Sequence, residues 1–328
     1  MLRLAYPLAI AASTSLQAAG MPGAAHAFEL SLPIDCEPGV TCIVQNLVDA
    51  DPGPGRRDAL CGRATYDGHK GTDFRVPDVA AMRRGVDVLA AAPGRVLRVR
   101  DGETDGVRTA REVDGRECGN GLVIDHGSGW TTQYCHLARD SIRVAPGGRV
   151  ERGQTIGRVG LSGRTEFPHV HLALRRDGRV VDPASGMAVE ARAVARCASN
   201  GHAASLWDER AREAVRGDRT EVLAAAFAGG AVENALVVRS AVPPPARRGP
   251  LVLYAQFSNA EPGDTVRLAV RGPNGPFVEK LIAPLERHKA TWTVFAGRRN
   301  APPGRYVGEA ILFRDGRPAA RTRAEWLR

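Results

Sequence analysis

Residues 167–174 read FPHVHLAL, which places two histidines either side of one valine. Flanked by apolar residues, the stretch has the pattern of a β-strand, where alternate side chains share a face, so His169 and His171 point the same way. Core strands seldom spend two same-face positions on imidazole. Upstream, DGHKGTDFRVP carries His69 and Asp73 with three residues between them. Gly71, Thr72 and Pro77 argue against a helix there, so the pair sits on a turn that leads into a strand. A third stretch, QYCHLA, puts His136 at the end of another strand. Taken singly, each motif is common in long chains. Together His69, Asp73, His136, His169 and His171 supply four of the chain's eight histidines and one carboxylate. A catalytic zinc takes three ligands from His, Asp or Glu and keeps a fourth position open for water, whose proton it loosens. The inventory suits that chemistry and leaves two imidazoles for acid–base work or for hydrogen bonds to a developing charge.

The elements that must position these residues are short and β-like. Residues 61–185 are punctuated by Gly, with DVLAAAPGRVLRVRDG, GLVIDHGSGWTTQYCHL, IRVAPGGRVERGQTIGRVGLSG and HVHLALRRDGRVVDP each alternating strand patterns with turn signals. The spacing predicts a compact antiparallel sheet or barrel, interrupted by an exposed polar loop at DGETDGVRTAREVDGRE. NGLVIDHGSGWTTQY reads as a hairpin with HGSG as its turn. With Asp125 facing Trp130, Cys135 falls opposite Asn120 and diagonal to Cys118, within reach of a disulfide on the face away from His136. Such a bridge would fix the strand that carries His136. Beyond residue 245, LVLYAQFSN, DTVRLAVRG, TWTVFAG and RYVGEAILFRDG are alternating strands separated by EPGD, GPNGP and APPG, the pattern of a small β-sandwich.

The first residues combine Arg3, an apolar run and a small-residue site at Ala25-His26-Ala27, the pattern of a secretory signal peptide cut after Ala27. No later segment has the length and apolarity of a membrane span, so no transmembrane segment is expected. Six cysteines follow the leader, an even number that suits disulfides in an exported chain. Cys36–Cys42 would close a short loop, leaving Cys61–Cys197 by elimination; a cysteine metal site lacks any C-x-x-C knuckle. The net charge of +9 is spread along the chain as arginine. There is no concentrated basic helix with stacking aromatics, so no nucleic-acid partner is expected. GRVGLSGRT lacks the GK[ST] ending of a phosphate loop. His126 is assigned to its Gly-rich turn, His202 and His288 to the surface, and Asp67 and Tyr134 to the walls of a cleft.

HKGTDF, YCHL and HVH, in that order and with the turns between them, resemble the motifs of the lysostaphin/LytM-type zinc peptidases, peptidase family M23. The resemblance covers roughly residues 61 to 185. It implies Zn2+ bound by His69, Asp73 and His171, with His136 and His169 lining the water and the scissile carbonyl. It also implies the substrate, peptide bonds in peptidoglycan stems or crosslinks, whether D,D-, D,L- or glycyl, cut through a zinc-activated water. A second class of function is a non-catalytic module that binds or activates other wall hydrolases, as some LytM-like relatives without ligands do. All five positions are filled here, which favours the enzyme.

The expected fold is therefore mainly β, a barrel-like antiparallel peptidase domain plus a small C-terminal sandwich whose ligand the sequence does not name. The expected organisation is a signal peptide at 1–27, a disulfide-stapled segment at 28–60 that could fold over the cleft, the peptidase domain at 61–197, a connector at 198–245 with a short helix, and the sandwich at 246–328. An exported address follows, periplasmic in first place, with outward secretion also compatible.

Overall fold

The computed structural model describes residues 28–108, 111–189, 205–216 and 220–328. The leader at 1–27, His202, and Cys197 with its expected bridge to Cys61 lie outside them. The chain is mostly antiparallel β, in several sheets rather than a closed barrel.

The first part of the chain holds β1 (Ile43–Asn46), β2 (Thr72–Arg75), α1 (Val79–Arg84), β3 (Asp87–Leu89) and β4 (Gly94–Arg100). There follow β5 (Asn120–Gly127), β6 (Trp130–Leu137), β7 (Arg149–Val150), β8 (Thr155–Arg158), β9 (His169–Arg176), β10 (Arg179–Asp182) and β11 (Met187–Ala188). The main sheet runs β1-β2-β9-β6-β5-β4-β7, with β10 added to β9. The stapled lead-in thus supplies an edge strand, and a Cys36–Cys42 disulfide closes the loop just before it. β9 is central and alternates cleanly. Val170, Leu172 and Leu174 are fully buried in the core with Phe74, Leu122, Ile124, Tyr134 and Trp207, while His169 and His171 take the other face. Tyr134 belongs to this core rather than to a cleft wall, its hydroxyl accepting from Ala91 N at 2.8 Å.

The β5–β6 hairpin differs in register from the expectation. Gly127 faces Trp130 across a two-residue turn in which Ser128 (φ 51°) and Gly129 (φ 79°) are both left-handed. Two left-handed residues are what the twist of a tight hairpin demands. Asp125 therefore faces Thr131, not Trp130, and irregularities after Asn120 and Asp125 absorb the shift. Cys118 and Cys135 are bridged all the same, with Cα atoms 4.8 Å apart. The polar stretch at 101–117 is more than an exposed rim: the Asp105 carboxylate accepts from Leu161 N at 2.6 Å and Arg139 N at 3.1 Å, tying that stretch to the turn before β9.

Downstream come α2 (Glu209–Ala214), β12 (Val222–Ala228), α3 (Asn234–Val238), β13 (Leu251–Ala260), β14 (Thr265–Gly272), β15 (Gly275–Ile282), β16 (Lys289–Arg298), β17 (Arg305–Arg314) and β18 (Arg317–Leu327). Sheets β12-β13-β16 and β15-β14-β17-β18 share one core built on Leu253, Phe257, Leu268, Trp292, Tyr306 and Leu312. The sandwich recruits β12 from the stretch read as connector, where VLAAAFA offers an apolar strand. It meets the first sheet along β1: Gln45 Nε2 donates to Asn259 Oδ1 and to the Ala290 carbonyl, and Asn259 Nδ2 returns a bond to the Gln45 carbonyl. His288, expected at the surface, is instead buried at this seam, its side chain 2 % exposed and 3.8 Å from the Glu261 carboxylate.

Candidate active site

Three strands and one loop bring the five sequence-predicted residues together. In the β2–β9 ladder Asp73 lies directly across from His171, and direct partners share a face. Asp73 Oδ1 is 2.8 Å from His171 Nδ1 and 3.2 Å from His69 Nε2, and those two nitrogens are 3.2 Å apart. His69 arrives from the turn before β2, where its Nδ1 lies 2.6 Å from the Leu47 carbonyl. A carbonyl can only accept, so Nδ1 carries the proton and Nε2 turns a lone pair toward the other two atoms. Asp73 Oδ2 is occupied by Asn46 Nδ2 at 2.9 Å, which reserves Oδ1 for the cluster. Three ligand atoms within 4.8 Å of one another could hold a metal ion. Their near-equilateral spacing matches one face of a tetrahedron, whose edge is roughly 3.4 Å for bonds of about 2.1 Å.

Gly71 makes room for this arrangement. A Cβ there would stand 2.6 Å from His171 Cε1, from His171 Nε2 and from the Leu172 carbonyl. Tyr66, half exposed, lays its ring 4.4 Å from that of His69 at the rim.

His169 and His136 flank the cluster. His169 Nε2 is 3.4 Å from Asp73 Oδ1, and its Nδ1 is bonded to the Phe167 carbonyl at 2.9 Å, with Thr165 Oγ1 at 3.2 Å. His136 Nδ1 is bonded to the Ser162 carbonyl at 2.8 Å, and its ring centroid lies 4.6 Å from that of His169. Both imidazoles thus spend Nδ1–H on a carbonyl and keep a lone pair on Nε2. Strand alternation would turn His136 toward the core with Tyr134. Its left-handed backbone (φ 64°) re-aims the ring to the site. Cys135 pairs with His171 across β6–β9 and so lies on the site's own face, which corrects the expectation that it points away.

The electrostatics follow from burial and crowding. Burial opposes the charge on Asp73, but His69 and His169 beside it outweigh burial and hold its carboxyl well below the usual range. Burial likewise acts against protonated His69, and the Asp73 charge overcomes it, raising that imidazole. His136 is pushed well below the ordinary histidine value by burial and then by His169 and His171; His171 is lowered chiefly by burial.

His126 stays outside the cluster, holding the Pro93 carbonyl at 2.7 Å and Thr132 Oγ1 at 2.8 Å. Asn46, Ser162 and Thr165 orient the cluster yet carry no motif. The signal for Asn46 lies in TCIVQN, where Thr41, Ile43 and Val44 mark a strand that ends at it.

The family model described as Peptidase family M23 matches residues 67–183. Peptidoglycan DD-endopeptidase ShyB of Vibrio cholerae is 35% identical over 129 residues, 39% of this chain and 25% of that protein. DD-carboxypeptidase/endopeptidase Mpg of Neisseria meningitidis is 36% identical over 104 residues, 32% of this chain and 22% of that protein. The chain therefore spans only about a quarter of the length of these curated relatives. A solved structure described as a zinc containing peptidase from Vibrio cholerae is 30% identical, with a TM-score of 0.28 over 43% of this chain and 39% of that one. All five clustered residues fall inside residues 67–183, the segment that matches the model of Peptidase family M23.

Proposed function

We propose that the protein is an exported zinc endopeptidase that hydrolyses peptide bonds in peptidoglycan stems or crosslinks. One observation carries the reading: His69 Nε2, Asp73 Oδ1 and His171 Nδ1 converge at 2.8–3.2 Å with no room for water between them. A single cation can satisfy all three atoms at once, and two imidazoles with one carboxylate are a donor set suited to zinc. When bound, zinc supplies a Lewis acid for the scissile carbonyl and brings the pKa of a water near neutrality. The Leu47 carbonyl and Asn46 fix the outward atoms of His69 and Asp73, the supporting contacts that hold metal ligands in place.

His136 and His169 do the proton work. Each has a free lone pair on Nε2, and burial keeps His136 neutral, so it is ready to take a proton as water adds to the carbonyl. Once protonated, that imidazole donates from Nε2 to the oxygen that gains charge and then returns the proton to the leaving amine, while the other accepts a hydrogen bond from the attacking water. No covalent enzyme intermediate is required. The complete ligand set argues against the alternative of a non-catalytic activator module. The names of the wall-cleaving relatives support the substrate class, and the leader-like first 27 residues support export to the periplasm. Incubating the protein with purified sacculi and reading soluble fragments by mass spectrometry tests the reading; zinc-dependent muropeptide release supports it, and intact sacculi refute it.

A further inference from the structure

Arg75 follows the HKGTDF motif and lies directly across from His169 in the β2–β9 ladder. It is fully buried, yet among the described residues no carboxylate stands within ion-pair distance of it. Among the described residues its side-chain hydrogen bonds leave from Nη1, to Gln45 Oε1 at 2.8 Å and Thr291 Oγ1 at 2.8 Å, and Nε and Nη2 find no partner. The guanidinium carbon sits 4.4 Å from the centre of the Phe167 ring. A buried cation with no anion in contact is costly; the Asp78 carboxylate acts on it from beyond contact, and the aromatic face is a partial substitute. So expensive a group beside a reacting imidazole calls for a reason beyond packing.

The contacts supply it. Phe167 is clamped between Arg75 and His169: its ring lies 4.9 Å from the His169 ring, and its carbonyl takes the His169 Nδ1 proton. The far end of the same guanidinium reaches Thr291 on β16 of the sandwich, while Gln45, its other partner, is held by Asn259 and the Ala290 carbonyl, also of the sandwich. A continuous run of direct contacts thus leads from the sandwich through Thr291 and Gln45 to Arg75, Phe167 and His169. Within this run it is His169 that meets the His69–Asp73–His171 triangle, its Nε2 lying 3.4 Å from Asp73 Oδ1.

We propose that Arg75 is a positioning residue for His169, and that docking of the C-terminal sandwich, through Thr291, sets the orientation of that imidazole. The sandwich then acts on the reaction as a support that must be seated for His169 to be aimed, whatever else it binds. This inference rests on the reading of the site as a zinc peptidase for its kinetic consequence only; the orientation of His169 is a structural property.

The test uses the whole zinc-loaded protein. Thr291→Val removes one hydroxyl on the sandwich, Phe167→Leu removes the ring, and Arg75→Lys keeps charge while losing the planar fork. The ring signals of isotope-labelled histidine, with His169 assigned by its loss in His169→Gln, are expected to shift or broaden in Thr291→Val and Phe167→Leu, while His136 signals stay. On sacculi, kcat is expected to fall about 10-fold in Thr291→Val and up to about 100-fold in Phe167→Leu, with KM, zinc stoichiometry and melting temperature held. Arg75→Lys is expected to lie between wild type and Arg75→Met. Unmoved His169 signals in Thr291→Val overturn the inference whether or not the protein cuts sacculi. So does a kcat loss that only tracks lost zinc or lost folded protein. Moved signals in a protein that never cuts sacculi leave the positioning intact and overturn the peptidase reading instead.

Discussion

Asp73 and His171 are direct partners across the β2–β9 ladder, and Asp73 Oδ1 lies 2.8 Å from His171 Nδ1. The ladder register makes this pair: a one-residue slip of β2 would turn Asp73 to the face opposite His171. His69, which stands on a turn, completes the triangle only because the Leu47 carbonyl holds it. Removing either ladder partner should therefore abolish metal binding without unfolding the sheet. Asp73→Asn and His171→Ala are each expected to lose bound zinc, by at least about 100-fold in affinity, with circular dichroism unchanged. Stoichiometric zinc in either purified variant, measured by elemental analysis, would speak against the assignment.

His136 and His169 should separate from the ligands by a different signature. His136→Ala and His169→Ala are expected to keep one zinc per chain while kcat falls about 100- to 10,000-fold. Zinc loss in His136→Ala would instead place that imidazole among the ligands.

Much of this site was legible in the sequence because its residues come in strand-length motifs. HVH shows its face by alternation, and β9 obeys alternation throughout its core side. What stayed hidden depends on departures from regularity or on distant chain. The hairpin register was misjudged because two irregularities in β5–β6 cannot be read from residue types. His136 reaches the site through a left-handed φ that alternation cannot anticipate. Asn46 and Thr291 act from strands far along the chain, and nothing in their local pattern announces a partner. His288 was misplaced because burial between two sheets is a property of docking, not of the stretch PLERHKA.

Gly71 offers a test of packing around the cluster. Gly71→Ala would press a methyl to 2.6 Å from His171 and from the Leu172 carbonyl, and backbone cannot yield cheaply. The variant is expected to fold, to bind zinc at least about 10-fold more weakly and to lose most activity. Competition with a chromogenic chelator reads the affinity directly; wild-type zinc affinity would show that the site has slack the structure denies.

The seam between sheet and sandwich should be sensitive to acid. His288 is pulled down to about 4 by burial and then by the positive charges of Arg56, Arg63 and Arg314, against a smaller opposing pull from Asp264; Glu261 also faces it at 3.8 Å. Unfolded, it would take a proton near pH 6.5, so between pH 6.5 and 4 the unfolded chain binds more protons and stability falls as pH falls. Above pH 6.5 this contribution is flat. His288→Gln is expected to flatten the acid limb, narrowing the drop in melting temperature between pH 7 and pH 4.5 by roughly 3–6 °C. Parallel melting curves for the two proteins across that window would remove His288 as a cause.

The measurement that bears most directly on the whole reading is digestion of purified sacculi by the metal-free protein, before and after adding back one equivalent of zinc, with the released fragments weighed by mass spectrometry. The account predicts no fragments from the metal-free protein and muropeptides cut at a peptide bond once zinc is restored, with Asp73→Asn silent under both conditions. Fragments released equally with and without zinc, or by Asp73→Asn, would contradict it.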